Sequence, residues 1–267
     1  MKNKILITLL AVTSCIVLLS GCAKKEIKNS SAQSNNSEKI ELNISAAASL
    51  KEAMGDIQKK FKSIEPNTDL VVNYGSSGSL QQQIEQGAPC DIFISAGQSQ
   101  MKKLDEKNLL LESTKKDLVK NDLVLIGPNS TTITSIEDLK TDKVKKIAAG
   151  EPSSVPAGKY ADETFNNLNI KSDIESKLVF AKDVKEVLAW SISGNADVGF
   201  VYLSDALNNK DAKIIETISE ESHSPITYPI AIIKNTSKQE ASKQFEDFLF
   251  TDDAKNIFEK YGYKSID

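Results

Sequence analysis

From residue 40 onward, short β-branched apolar runs alternate with longer stretches whose apolar residues recur at helical spacing. Strands are expected at 42–46, 69–74, 91–95, 122–126, 146–149, 178–180, 197–202, 213–216 and 228–233. Helices are expected at 50–64, 80–85, 98–107, 157–168, 184–193, 238–250 and 252–261. Such alternation requires crossover connections between strands, so the fold class is α/β with mixed, mostly parallel sheet flanked by helices. A chain of this length is near the upper size for a single core. Asn121-Asp122 and Ile226-Thr227 each join a polar stretch to a long apolar strand, and serve as crossing points between two lobes. On that division residues 40–121 and 228–267 form lobe 1 and residues 122–227 form lobe 2. Ligand sites in such folds lie at the carboxyl ends of strands and between domains.

The first 39 residues read as an address and a tether, not as fold. Residues 1–4 are basic, residues 5–19 are apolar with few interruptions, and Ser20-Gly21-Cys22 follows at once. This is the pattern of a secretory signal peptide over residues 1–21, too short for a comfortable membrane span. Leu19-Ser20-Gly21-Cys22 resembles the lipobox of bacterial lipoproteins, which implies cleavage before Cys22 and a lipid on its sulfur. Residues 22–39 are mostly Ser, Asn, Lys and Gln, with too little apolar surface to offset their ordering entropy, and are expected to be a flexible tether. The expected location is therefore extracytoplasmic, on the outer face of the cell membrane. Of three cysteines, Cys15 leaves with the signal and Cys22 is capped, so Cys90 alone remains and no internal disulfide can form.

Charge narrows the partners further. The chain carries net charge −4, more negative once Lys2 and Lys4 are removed, which argues against nucleic acid. There is no Arg anywhere, so an anion cannot be held by a bidentate guanidinium clamp.

What the chain does offer is a set of helix starts at strand ends. Ser49 precedes the amphipathic run beginning Leu50 and, with Glu52 three residues on, occupies a good N-cap position. Gly75-Ser76-Ser77-Gly78-Ser79 opens the next helix with residues small enough for close backbone approach. Pro156 stands at a favoured first helical position ahead of Ala157 and Gly158. Lys182-Asp183-Val184 starts a fourth helix. Helix N-termini carry unpaired N–H groups and partial positive charge, and bind anions without charged side chains. Each motif alone reads equally as a cap or a loop. Convergence of four, two from each lobe, would make an anion site.

Read together, Ala46-Ala47-Ala48-Ser49-Leu50, residues 75–80, residues 87–96, Val155-Pro156-Ala157-Gly158-Lys159-Tyr160 and residues 199–206 resemble the periplasmic molybdate-binding protein family. The likeness runs from about residue 40 to the closing residues 258–263. It implies a two-lobed type II periplasmic-binding-protein fold whose lobes close on molybdate or tungstate. It also implies the ligand donors: Ser49 and Ser77 through hydroxyl and amide, Ala157 and Val184 through their backbone amides, and Tyr202 through its phenol. Delivery to an ABC permease and its ATPase follows from the same resemblance. The protein is expected to act as a monomer, with no cofactor other than its ligand. Two positions depart from the family pattern: Gly78, where Ser is common, and Cys90, where a small apolar residue is common.

Other classes find less in the sequence. No Gly-x-Ser-x-Gly elbow is present, and the one imidazole, His223, lies in a polar stretch expected to be solvated. One His, one free Cys and no clustered carboxylates make poor transition-metal chemistry, so neither catalytic residues nor direct metal ligands are expected. An iron-binding relative would draw on Tyr202 and Tyr228. Alternatives left open are another tetrahedral oxyanion, such as sulfate or phosphate, and a surface lipoprotein without a transported ligand.

Overall fold

The computed structural model describes residues 39–266. The signal peptide expected at residues 1–21, Cys22 and all of the expected tether save Lys39 lie outside the described residues.

Eleven strands and nine α-helices run in the order β1 (Ile40–Ala47), α1 (Lys51–Ile64), β2 (Thr68–Gly75), α2 (Ser77–Glu85), β3 (Ile92–Ile94), α3 (Gln98–Glu106), β4 (Lys116–Lys120), β5 (Leu123–Pro128), β6 (Ile147–Gly150), α4 (Pro156–Asn167), α5 (Lys171–Ile174), β7 (Leu178–Ala181), α6 (Val184–Ser193), β8 (Val198–Tyr202), α7 (Leu203–Ala206), β9 (Ala212–Thr217), β10 (Thr227–Ile232), α8 (Gln239–Leu249), α9 (Asp252–Lys260) and β11 (Lys264–Ser265), among the described residues. They build two sheets, ordered β11-β4-β10-β3-β1-β2 and β7-β6-β8-β5-β9.

Both sheets are mixed. β1 lies parallel between β2 and β3, and β6 lies parallel between β7 and β8. β10 runs against β3 and β4, β11 against β4, and β5 against β8 and β9. The antiparallel pairs centre on the two strands that enter from the other sheet. β4 passes to β5 across Asn121 and Asp122, and β9 returns to β10 between residues 217 and 227. A strand arriving that way needs no helical crossover and is free to run antiparallel.

The core follows the sequence pattern. α1 buries Ala53, Met54, Ile57 and Phe61, one stripe of a 3.6-residue repeat, and Phe61 packs against Phe245 and Phe248 of α8 at ring separations of 5.0 and 5.3 Å. On the opposite face of the first sheet, Leu80, Ile84, Met101 and Leu104 of α2 and α3 cover Phe93 and Ala231. β5 and β10 are apolar and buried almost throughout, as strands covered on both faces must be.

Two strands were invisible in the sequence. β4 reads Lys-Asp-Leu-Val-Lys, with Leu118 and Val119 its only apolar residues, and it is a strand because β10 and β11 pair with it. β11 is two residues long and rests on the same pairing.

A cavity at six strand ends

Six strands end around one small cavity. β1, β2, β3, β6, β7 and β8 run out at Ala47, Gly75, Ile94, Gly150, Ala181 and Tyr202, and the turns that follow supply the walls. Ala47, Ala48, Ser49, Gly75, Ser76, Ser77 and Ala96 form one wall; Val155, Pro156, Ala157, Val184 and Tyr202 form the other. All five residues expected as ligand donors are brought together here. The cavity is about 10 Å³, by a measure on which one water needs roughly 10 to 15 Å³. That is room for about one water, far below the hundreds of Å³ typical of an organic ligand's site.

Each wall is built by local rules. Ser76 caps α2: its backbone is extended, its Oγ accepts from the Ser79 N–H at 3.3 Å, and α2 begins at Ser77, three residues ahead of the expected start. Asp183 caps α6, with its Oδ1 accepting from the Glu186 N–H at 3.0 Å while the Glu186 carboxylate accepts from the Lys182 N–H at 2.9 Å. Pro156 opens α4 with its ring preset for the first turn. Ser77, Ala157 and Val184 thus sit in first turns, where no carbonyl four residues back is there to accept their N–H groups.

Ser49 departs from expectation. It is not an N-cap but the centre of a 3₁₀ turn, Ala48–Leu50, that precedes α1, and its side chain caps nothing. Its Oγ lies 2.9 Å from the Tyr228 hydroxyl instead, while the Tyr263 hydroxyl donates to the Ser49 carbonyl at 2.9 Å. The local turn is tighter than an α-helical start, so the hydroxyl is turned from its own helix to a tertiary partner. Ser77 Oγ accepts from the Ala96 N–H at 2.9 Å.

Among the described residues, no charged side chain lines the cavity. Lys185, next to Val184, pairs with Asp205 at 2.8 Å and with Glu52 of α1. Tyr202 is buried, and desolvation by burial pushes its hydroxyl well above the ordinary tyrosine range. Tyr228 packs edge-on against it at 5.6 Å and is raised in the same way. Burial thus holds both phenols in their neutral form.

The walls touch. The Gly78 N–H donates to the Ser154 carbonyl at 2.9 Å, and the Tyr202 hydroxyl reaches the Ala96 carbonyl at 3.4 Å. A Cβ on Gly78 would fall 2.5 Å from that Ser154 oxygen, so the residue that departs from the family pattern is the one that lets the walls meet.

A family model of bacterial extracellular solute-binding proteins matches residues 42–264. The chain belongs to that family. A Bacillus subtilis relative named as an ABC transporter substrate-binding lipoprotein, YvgL, is 37% identical over 256 residues, 95% of this chain and 96% of its own. The molybdate-binding protein ModA of Haemophilus influenzae is 36% identical over 225 residues, 82% of this chain and 88% of its own. A solved substrate-binding domain, described as that of a molybdenum ABC transporter from Clostridium difficile, is 62% identical, with TM-score 0.69, covering 86% of this chain and all of that one. The fold is accordingly the two-lobed one of periplasmic binding proteins, and the protein is an extracellular solute-binding protein.

Several residues of the site escaped the sequence reading. Ala96 follows β3, and the Ser95-Ala96-Gly97 turn after an apolar run was its available signal. Asn121 was read only as a crossing point and Tyr228 only as a phenol for an iron-binding relative, because the tertiary fold alone brings them to Ser49. His223 is buried rather than solvated: Nδ1 lies 2.9 Å from the Ser224 carbonyl and the ring packs 5.9 Å from Tyr160. Neither it nor Cys90 lines the cavity. Burial raises the Cys90 thiol, which donates to the Ile92 carbonyl at 3.2 Å.

Proposed function

We propose that this binding protein captures molybdate, and tungstate with it, outside the cell and hands it to an ABC permease driven by its ATPase. The observation that carries the reading is a small cavity without charged side chains, walled from both lobes by helix-start amides and by the hydroxyls of Ser49, Ser77 and Tyr202. Such a cage offers amide and hydroxyl donors and no carboxylate to accept a ligand's proton. A fully deprotonated tetrahedral dianion satisfies it, whereas a proton-bearing phosphate would leave its own donor unpaired. Donors directed at a charged ligand contribute about 1.5 to 3 kcal/mol each. Five residues so placed would support micromolar or tighter affinity after immobilisation costs, with no Arg involved. The names of the Haemophilus and Clostridium relatives favour molybdate among such anions.

On this reading Ser49, Ser77, Ala157, Val184 and Tyr202 bind the ligand and no residue is catalytic. Residues 40–121 with 228–267, and 122–227, are the lobes that close on it. The protein works as a monomer tethered to the outer membrane face through a lipid on Cys22, in keeping with the lipoprotein name of the Bacillus relative. Calorimetric titration of the purified protein with molybdate, tungstate, sulfate and phosphate tests the assignment. Heat with the first two is expected. Heat with sulfate or phosphate alone would name a different oxyanion, and silence with all four would remove the transport reading.

A further inference from the structure

The two cavity serines are held in different ways, and the difference leads beyond the ligand donors. Ser77 Oγ accepts from a backbone N–H, that of Ala96, so its own hydrogen is left to point elsewhere. Ser49 Oγ faces another hydroxyl, that of Tyr228, and a hydroxyl pair can run in either direction. The direction is settled one step further out. The Asp122 N–H, which can only donate, bonds Asn121 Oδ1 at 2.9 Å. That fixes the Asn121 amide with Nδ2 toward Tyr228 Oη, at 3.3 Å, and toward Ser204 Oγ, at 2.8 Å. An amide nitrogen has no lone pair to offer, so Tyr228 Oη must accept there. Its hydrogen is assigned to Ser49 Oγ, the hydroxyl 2.9 Å away, and the Ser49 hydrogen is then turned into the cavity.

We infer that Tyr228 and Asn121 are positioning residues that set the polarity of the Ser49 hydroxyl, making it an obligate donor toward an anion that bears no proton. All four groups are buried, so no bulk water competes for the chain of bonds. Asn121 lies in the passage from β4 to β5 and Tyr228 in β10, so both strands that enter from the other sheet end in one hydroxyl of the cavity. The inference rests on the proposed oxyanion site, where Ser49 donates to the ligand.

A double-mutant cycle read by calorimetry with molybdate tests it. Tyr228→Phe keeps the ring and deletes the donor to Ser49, and is expected to weaken binding about tenfold, the size of one lost hydrogen bond to a charged group. Ser49→Ala is expected to weaken it at least as much. Together they should weaken it no further than Ser49→Ala alone, because Tyr228 acts only through Ser49. Asn121→Asp supplies a second cycle: the carboxylate accepts where the amide donated, drawing the Tyr228 hydrogen away and leaving Ser49 as an acceptor. Its penalty should be larger with Ser49 present than in the Ser49→Ala background, where only the added charge acts. Wild-type affinity in Tyr228→Phe, or losses that add in both cycles, would overturn the relay while leaving the oxyanion site standing. Failure of the unaltered protein to bind any of the four oxyanions would overturn both.

Discussion

On the first wall of the cavity, Ser49 and Ser77 present side-chain hydroxyls; on the second, Ala157 and Val184 present only main-chain N–H groups, with Tyr202 the single polar side chain. The first wall adds to its main-chain N–H groups two side-chain hydroxyls that a point mutation deletes. The second keeps its donors in backbone, where most substitutions leave them untouched and the geometry of the helix start is what matters. That geometry is enforced by close packing. α4 sits so near β6 that a Cβ on Gly158 would lie 1.9 Å from the Gly150 carbonyl oxygen. Gly55, inside α1 beyond the first wall, has open space around its missing Cβ.

The sharpest break of this comparison is therefore a pair of glycine substitutions. Gly158→Ala is expected to cost on the order of 3 kcal/mol or more, since backbone must move to admit the methyl group. Gly55→Ala should be neutral or stabilise by up to about 1 kcal/mol through helix propensity. Urea unfolding followed by circular dichroism measures both. Equal stabilities would mean that α4 is not pinned to β6.

Next in size is Val184→Pro. Proline is well suited to the first helical position and, with Asp183 extended ahead of it, removes the N–H at little cost to α6. Molybdate affinity should fall about thirtyfold or more while the melting transition stays near that of the unaltered protein. Val184→Ala loses packing but keeps the amide, and should bind within about twofold. If the alanine variant lost affinity as the proline variant does, the second wall would not work through backbone.

The same contrast explains what the sequence could and could not convey. Pro156 and Asp183 announced two helix starts within a residue of where they occur, because proline at the first position and aspartate at the cap act through local geometry. The strand-helix alternation likewise located nearly every element of both sheets. Ser49 looked like a cap and is none, since its hydroxyl answers to Tyr228, far along the chain. Tyr202 was legible only through the family resemblance: nothing in its neighbours says that a strand end will face two helix starts from the other sheet. β4, the Gly78–Ser154 contact and the burial of His223 depend on tertiary pairing and left no periodic trace.

On the first wall, Ser77→Ala and Ser49→Ala should each weaken binding about tenfold. Each should also lose about 1 to 3 kcal/mol of stability, because Ser77→Ala leaves the buried Ala96 N–H, and Ser49→Ala the buried Tyr228 O–H, without its acceptor. Thermal melts beside the titrations separate binding from stability, and an unchanged melt in Ser49→Ala would contradict donation from Tyr228.

The smallest effect is expected away from both walls, at Cys90. Its raised thiol should react with iodoacetamide more slowly at about pH 8 than an unperturbed cysteine, as followed by mass spectrometry. Cys90→Ser should leave molybdate affinity unchanged, and a changed affinity would tie the far end of the first sheet to the cavity.

The central claim, capture of a dianion by uncharged donors, is tested most directly by molybdate affinity as a function of pH. Tyr202 is the only titratable side chain lining the cavity and burial holds it well above 10. The account predicts a dissociation constant that stays flat from about pH 6 to about pH 9, where no lining group changes charge. Affinity that falls steadily as pH rises through that range would reveal a protonated base at the ligand and contradict the charge-free cage.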